Sequence, residues 1–295
     1  MRCLVGACFA ISIIVAGVPP LCADGAISYV VLEDGDPGAL VRISADGGTV
    51  STIARGVSGL GLTVDGAGNY IVAGRTALLR ITPTGRISTI ASAPDGSVWA
   101  SVAVDGSGNF LVGDGRKPAL WRVSADGKTT TKLLTFDDID IHDGRRKSAL
   151  VVDRAGDCFF LVQSNNHRIG IIPQLFRITP QGQTTEIPLS GVRFRMPNGG
   201  MIPLANGDLL VSVYGEPQLL RVTHDGMATL FADLRDMYPF MYPGGLALRP
   251  DDGSIVILLP AINHVARLNA DGSSTTEGRI HLPLTPMGII AESSR

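Results

Sequence analysis

A chain of 295 residues with a formal net charge of −2, and only 18% of its residues charged, has no basic surplus with which to track phosphates. Nucleic acid is therefore not an expected partner, and there is no long acidic tail. Glycine is abundant, at 36 residues, and the length suits either two ordinary domains or one large all-β domain.

In chain order, residues 1–23 read as an export signal. Arg2 supplies a short positive region, an apolar run follows, and "LCA" before Asp24 offers a small residue for cleavage. Leu21 in front of Cys22 argues against a lipoprotein site. Cleavage after Ala23 removes Cys3, Cys8 and Cys22 and leaves Cys158, inside the apolar run "CFFLV", as a buried filler. The expected product is residues 24–295, secreted or periplasmic, monomeric, and without stable insertion in a membrane.

From there two phrases alternate. The first is Arg, an aliphatic residue, three residues and Gly. It occurs at Arg42, Arg80, Arg122, Arg177, Arg221 and Arg267. The second is an apolar strand, a Gly/Asp/Asn turn and another apolar strand. It is clearest in "LGLTVDGAGNYIVAG" (60–74) and "SVAVDGSGNFLVGDG" (101–115), with copies at 149–163, 200–214 and 245–259. Short Val-, Ile- and Leu-rich runs bounded by Gly, Asp and Asn predict strands, four to a unit, with Gly where the turns need positive φ. Six units over residues 24–295 come to about 45 residues each, the size of a β-propeller blade. Only one strand, "ISYVVLE", precedes Arg42, and one unpartnered strand, "PMGIIAE" (286–292), ends the pattern. The two predict a single composite blade whose inner strand is C-terminal. The fold expected is all-β: a six-bladed β-propeller of four-stranded antiparallel blades, the first closed by the C-terminal strand. The repeated arginines are then architectural, with stems between strands and heads on a carboxylate or at a blade edge.

The repeats resemble the six-bladed propellers of the NHL-repeat and SMP-30/gluconolactonase type. "VDGAGNYIVAG" and "VDGSGNFLVGD" are similar to the NHL pattern "VDxxGNIYVAD", and "MPNGGMIPLANGDLLVSVYG" (196–215) to the SMP-30 phrase "PNGxAxSPDGxxLYVAD". The second resemblance implies a divalent metal, usually calcium, at the channel mouth, held from the starts of inner strands. Asn198 of "PNG" carries over as a metal ligand. The other starts here are Gly59, Ser101, Ser148, Gly244 and Gly288, and "EGPxW" is absent, so no cofactor is firmly implied. Residues 166–182 have a passing likeness to streptogramin lyase repeats, and an aromatic content of 5% is low for that family.

Function is sought where the pattern breaks. The first-to-second and third-to-fourth turns are uniformly tight, whereas the other connections carry the insertions: residues 135–148, 163–174, 190–198 and 234–245. Candidate acid–base residues are His142, His167, Glu216 and His264. Candidate ligand contacts are Arg193, Arg195, Asn198, Tyr214 and Tyr242. Two functions compete: a propeller that binds a small molecule or a protein partner, which the missing metal set favours, and a lactonase- or esterase-like hydrolase acting at the channel mouth. An enzyme needs several of these groups to converge on one shielded point.

Overall fold

The computed structural model describes residues 27–34, 37–44, 49–116, 119–135, 148–166, 170–192, 197–213, 216–235, 243–249, 251–260, 264–273, 280–281 and 285–293. They form six sheets arranged as blades. Blade 1 is β25 (Thr285–Ser293), β1 (Ile27–Asp34), β2 (Ala39–Ser44) and β3 (Val50–Arg55). Blade 2 is β4 (Gly61–Val64), β5 (Tyr70–Gly74), β6 (Ala77–Ile81) and β7 (Ile87–Ser92). Blade 3 is β8 (Trp99–Val104), β9 (Phe110–Asp114), β10 (Ala119–Val123) and β11 (Thr130–Thr135). Blade 4 is β12 (Ala149–Val152), β13 (Cys158–Asn166), β14 (Gly170–Ile178) and β15 (Thr184–Ile187). Blade 5 is β17 (Pro197–Pro203), β18 (Leu209–Val213), β19 (Gln218–Val222) and β20 (Met227–Asp233), with β16 (Ser190–Gly191) added in parallel to β20. Blade 6 is β21 (Leu246–Leu248), β22 (Ile255–Leu259), β23 (His264–Leu268) and β24 (Ile280–His281).

The inner strands β25, β4, β8, β12, β17 and β21 contact one another in ring order, and β21 meets β25 again. The predicted closure is therefore present: β25 pairs antiparallel with β1 from Ile27–Ser293 to Asp34–Thr285. Side chains alternate between the two neighbouring blades, so the apolar clusters lie between blades. Ile71 and Ala73 of blade 2, for example, pack with Trp99, Val102 and Phe110 of blade 3. This is why the second strands read as continuous apolar runs rather than alternating ones. Both their faces are buried, as in Phe110–Asp114 and Ile255–Leu259.

The antiparallel order divides the ring into two ends. One, the hairpin end, carries all first-to-second and third-to-fourth turns; the other, the loop end, carries the remaining connections. At the hairpin end the described first-to-second turns of blades 2 and 3 are self-satisfied. Asp65 and Asp105 each accept hydrogen bonds from two backbone N–H groups of their own turn and from Asn69 or Asn109.

The repeated arginines meet these turns. Arg80 pairs with Asp65, Arg122 with Asp105, Arg177 with Asp157 and Arg221 with Asp208, at the ends of the first two strands of the same blade. In blade 6 Arg267 reaches Ser254 and Asp252. In blade 1, where no such turn exists, Arg42 instead pairs with Glu292 of β25. Tyr70 of blade 2 joins them, donating to Glu292 at 2.8 Å and accepting from Arg42 at 2.7 Å. Tyr70 thus links blade 2 to the blade before it, and two residues at the matching register of their second strands do the same. Tyr29 accepts from Arg249 of blade 6 at 3.3 Å, and the Phe110 ring lies 5.7 Å from the Arg80 guanidinium. Burial raises the Tyr29 hydroxyl above its ordinary value, and the neighbouring Arg249 offsets part of that rise.

In blades 2 to 5 the carboxylates of these pairs are only 6–11% exposed, so removing the arginine strands a largely buried acid. Arg122→Ala is expected to lower stability by about 1–2 kcal/mol, through lost stem packing and an unpaired Asp105. Ligand binding by the folded variant should be unchanged. Paired denaturation and binding measurements check this, and a functional loss at full stability would make Arg122 part of a site.

The glycine that ends the Arg phrase has a role of its own in blades 2, 3 and 6. In blades 1, 2 and 5 the fourth strand carries a one-residue bulge, at Ile53, Ile90 and Phe231. The carbonyl of each bulged residue faces the positive-φ glycine of the next blade, at Gly85, Gly127 and Gly272. In blades 2, 3 and 6 the phrase therefore records both an intra-blade ion pair and an inter-blade joint; in blade 4 a Cβ on Gly182 would meet nothing within 4 Å, although β11 bulges at Leu133 in the same way.

Candidate functional site

Among the described residues, the pairing of the first two strands departs from regularity at the loop end and not at the hairpin end. The first two strands pair without a break in blades 2, 4 and 6. In blades 1, 3 and 5 the inner strand bulges at its loop end. Met287 is extra between Gly288 and Pro286, and Ala100 between Trp99 and Ser101. Between Pro197 and Met201, Asn198, Gly199 and Gly200 face the single residue Ser212. Bulges re-aim a strand and recur beside functional sites.

Small residues let these strands come together. Ser101 and Ser148, on neighbouring inner strands, are buried and share a 2.8 Å hydrogen bond. Ser212 is fully buried and donates to the Gly244 carbonyl of blade 6 at 2.8 Å, while Gly200 N–H donates to the Ser212 hydroxyl at 3.2 Å. A Cβ on Gly200 would lie 2.1 Å from that same carbonyl. The Asn198 bulge is thus braced from behind by Ser212 and seated against blade 6.

Two carboxylates lie buried at equivalent places, the loop ends of the second strands: Glu33 in blade 1 and Asp114 in blade 3. Asp114 accepts from the backbone N–H of Val98 at 3.1 Å and of Arg116 at 2.8 Å, which ties the connection before blade 3 to the one inside it. On blade 5 the Arg235 guanidinium clasps Asp233 and holds its carboxyl down to about 2. Asp233 is a fixed anion at neutral pH and not a proton shuttle. Cys158 is buried, and burial pushes its thiol far up, so it is inert packing, as its apolar surroundings imply.

Of the residues singled out in the sequence, Asn198 lies in the β17 bulge at the loop end. Glu216 is exposed in the connection between β18 and β19, where its carbonyl accepts from Gln218 N–H. His264 begins β23, half-buried, opposite Leu259. These three share the loop end but sit on an inner strand, a second-to-third connection and a third strand. His142, His167, Arg193, Arg195, Tyr214 and Tyr242 lie outside the described residues, as do residues 1–26. Sequence reasoning missed Ser212, whose signal was a lone hydroxyl in the apolar strand "LLVSV", and His281, which only strand register places beside His264.

Calcium needs six to eight oxygen ligands, several of them carboxylate. Beside Asn198, the inner-strand starts read from the sequence, Gly59, Ser101, Ser148, Gly244 and Gly288, supply no carboxylate. Among the described residues no group of three or more His, Cys, Asp or Glu could hold an ion. That donor set does not fit calcium. No helix among the described residues is long and apolar enough to cross a membrane.

Fold and ring closure together define a six-bladed β-propeller. No family model matches the chain, and no curated protein matches it by sequence. Solved structures match it by shape. A chain from the crystal structure of a nidogen/laminin complex superposes with a TM-score of 0.69 at 14% identity, over 90% of this chain and 98% of that one. Virginiamycin B lyase from Staphylococcus aureus gives 0.58 at 15% identity, over 91% and 95%. A putative gluconolactonase gives 0.56 at 16% identity, over 76% and 84%. At such identities the likeness is one of fold, shared by a protein in a binding complex, a lyase and a putative lactonase.

Proposed function

We propose that this chain is an exported propeller that binds a small molecule or a protein partner through its loop end. The observation that supports it best is the asymmetry between the two ends. The hairpin end is spent on self-satisfied turns and Arg–carboxylate pairs that join blades. The loop end carries the inner-strand bulges at Met287, Ala100 and Asn198–Gly200, and residues 135–148, 163–174, 190–198 and 234–245 enter there, the second of these largely as an extension of the β13–β14 hairpin. Rigid scaffolds place recognition on such connections. In this reading Arg193, Arg195, Asn198, Tyr214 and Tyr242 contact the ligand, and the chain acts as a monomer after loss of residues 1–23. The second reading, a lactone or ester hydrolase using His142, His167, Glu216 or His264, draws on the likeness of fold to a putative gluconolactonase and on the braced Asn198 bulge.

One experiment separates the two readings. The purified protein is screened for binding to small molecules and for hydrolysis of lactones and esters, with metal analysis alongside. Arg195→Ala, His167→Ala and Tyr242→Ala should each weaken binding without unfolding the chain, and Ser107→Ala and Thr84→Ala at the hairpin end should be silent. Lactone turnover that needs Asn198 and a bound metal would replace the binding reading by the hydrolase. A ligand that protects the "DGAGN" and "DGSGN" turns from hydrogen exchange would show that the working end is the other one.

A further inference from the structure

We propose that the Asn206–Gly207 step, in the turn between β17 and β18, is a site of spontaneous deamidation, and that its conversion weakens the ion pair that Arg221 makes with this turn. Residues 205–207 are exposed, and Gly207 has φ +87 with nothing within 4 Å of its Cβ position. The glycine puts no side chain between its own backbone nitrogen and the Asn206 amide. In the reaction the Gly207 nitrogen gives its proton to solvent base and attacks Asn206 Cγ. The N–Cγ bond forms, the Cγ–Nδ2 bond breaks, and ammonia leaves. Water then opens the cyclic imide at either of its carbonyls. Water is consumed, ammonia is released, and position 206 gains a carboxylate, as aspartate or as isoaspartate. The site lies at the hairpin end and does not depend on which molecule the loop end recognises.

The blade plan does not call for asparagine here. The residue before the positive-φ glycine is Ala67, Ser107 and Ala155 in blades 2, 3 and 4. Those turns open with Asp65, Asp105 and Asp153, whose carboxylates accept backbone N–H groups two and four residues on. Blade 5 has Leu204 at that place, and Asn206 serves the turn differently. Its Nδ2 donates to Asp208 at 2.7 Å, and its Oδ1 accepts from the Asp208 N–H at 3.3 Å. Asp208 is 4% exposed and accepts from Arg221 Nε at 2.5 Å. A carboxylate at position 206 replaces the donor with a second anion beside a buried one. Neighbouring turns lack the reactive group. The hydroxyls of Ser124, Thr223 and Ser273 hold the exposed carboxyls of Asp126, Asp225 and Asp271 below their ordinary value. Each is therefore ionised at neutral pH, and a carboxylate is a poor electrophile. The glycines after them are closed in by carbonyls of the preceding connection or blade. Asn69 and Asn109 precede Tyr70 and Phe110, both fully buried. The Gly207 N–H donates to the Leu204 carbonyl at 3.0 Å, so the turn must open first, and the folded chain reacts more slowly than the same segment unfolded.

The test ages the full protein in warm, mildly alkaline buffer beside a synthetic peptide of residues 202–210. Intact mass, peptide mapping, enzymatic methylation of isoaspartate and released ammonia are followed over time. Position 206 should gain about 1 Da, later than in the peptide but ahead of every other described asparagine. Asn206→Ser should abolish the gain in this segment. Asn206→Asp, which carries the charge of the product, should melt about 2–4 °C below Asn206→Ser. The proposal is overturned by a segment that stays unchanged in the folded protein through several half-lives of the peptide, by conversion confined to another asparagine such as Asn198, or by equal melting of the two variants. The wild-type map stays decisive if a variant folds poorly, because it needs no substitution.

Discussion

Removal of residues 285–295 should abolish cooperative folding. β25 is the inner strand of blade 1, and eight of its residues pair with β1. It buries Ile289, Ile290 and Ala291 almost completely, Ile289 toward blade 6 and Ile290 toward blade 2. Two fully buried isoleucines contribute about 3–6 kcal/mol by area alone, against a total stability of about 5–15 kcal/mol for an ordinary domain. The deletion also leaves Arg42 and Tyr70 without Glu292, opens the paired edge of β1, and removes the contact that brings blade 6 back to the ring. Thermal and urea melts of the truncated chain check this. Restoration of a cooperative transition by a synthetic 285–295 peptide would show that the lost strand, and not a general defect, is responsible. A truncated chain that melts cooperatively within a few degrees of the parent would mean that the ring does not depend on this closure.

Gly127→Ala should cost about 2–5 kcal/mol. Gly127 has φ +76, and a Cβ there would lie 2.0 Å from the Ile90 carbonyl oxygen of the preceding blade. The left-handed backbone alone costs a non-glycine residue about 1–2 kcal/mol, and forcing the joint apart adds about 1–3 kcal/mol. The obstacle is backbone, so no side chain can rotate away. Gly106→Ala is the matched control, because nothing lies within 4 Å of its Cβ position and its φ is not positive, and it should stay within about 0.5 kcal/mol. Equal effects from the two substitutions would remove the joint from the account of the fold.

Most of the architecture was legible in the chain. The strands, the tight turns, the six units and the composite first blade follow from apolar runs of four to eight residues and from glycine at fixed offsets. Those signals are local, or repeat at a fixed period. The arginine phrase was legible as architecture, but its partners were not. Asp65 and Asp105 open their turns, Asp157 and Asp208 close theirs, and Glu292 stands 250 positions from Arg42. Only three-dimensional proximity shows that one role is filled from three sequence positions.

The candidate site was far less legible. Its place, at the end opposite the uniform turns, could be read from where insertions fall. The bulges at Ala100, Asn198–Gly200 and Met287, the Ser212 brace to Gly244, and the opposition of His264 to His281 could not. A bulge is a mismatch between two strands, and register is a relation between residues on different segments of the chain, so neither has a signature in one strand alone. The sequence by itself determined the repeat, the strand count and the closing strand, because hydrophobic period and turn chemistry are properties of short segments. Only the tertiary structure decided which blade meets which through Arg, Tyr and Gly, and which polar residues share the loop end, because those depend on how the ring closes.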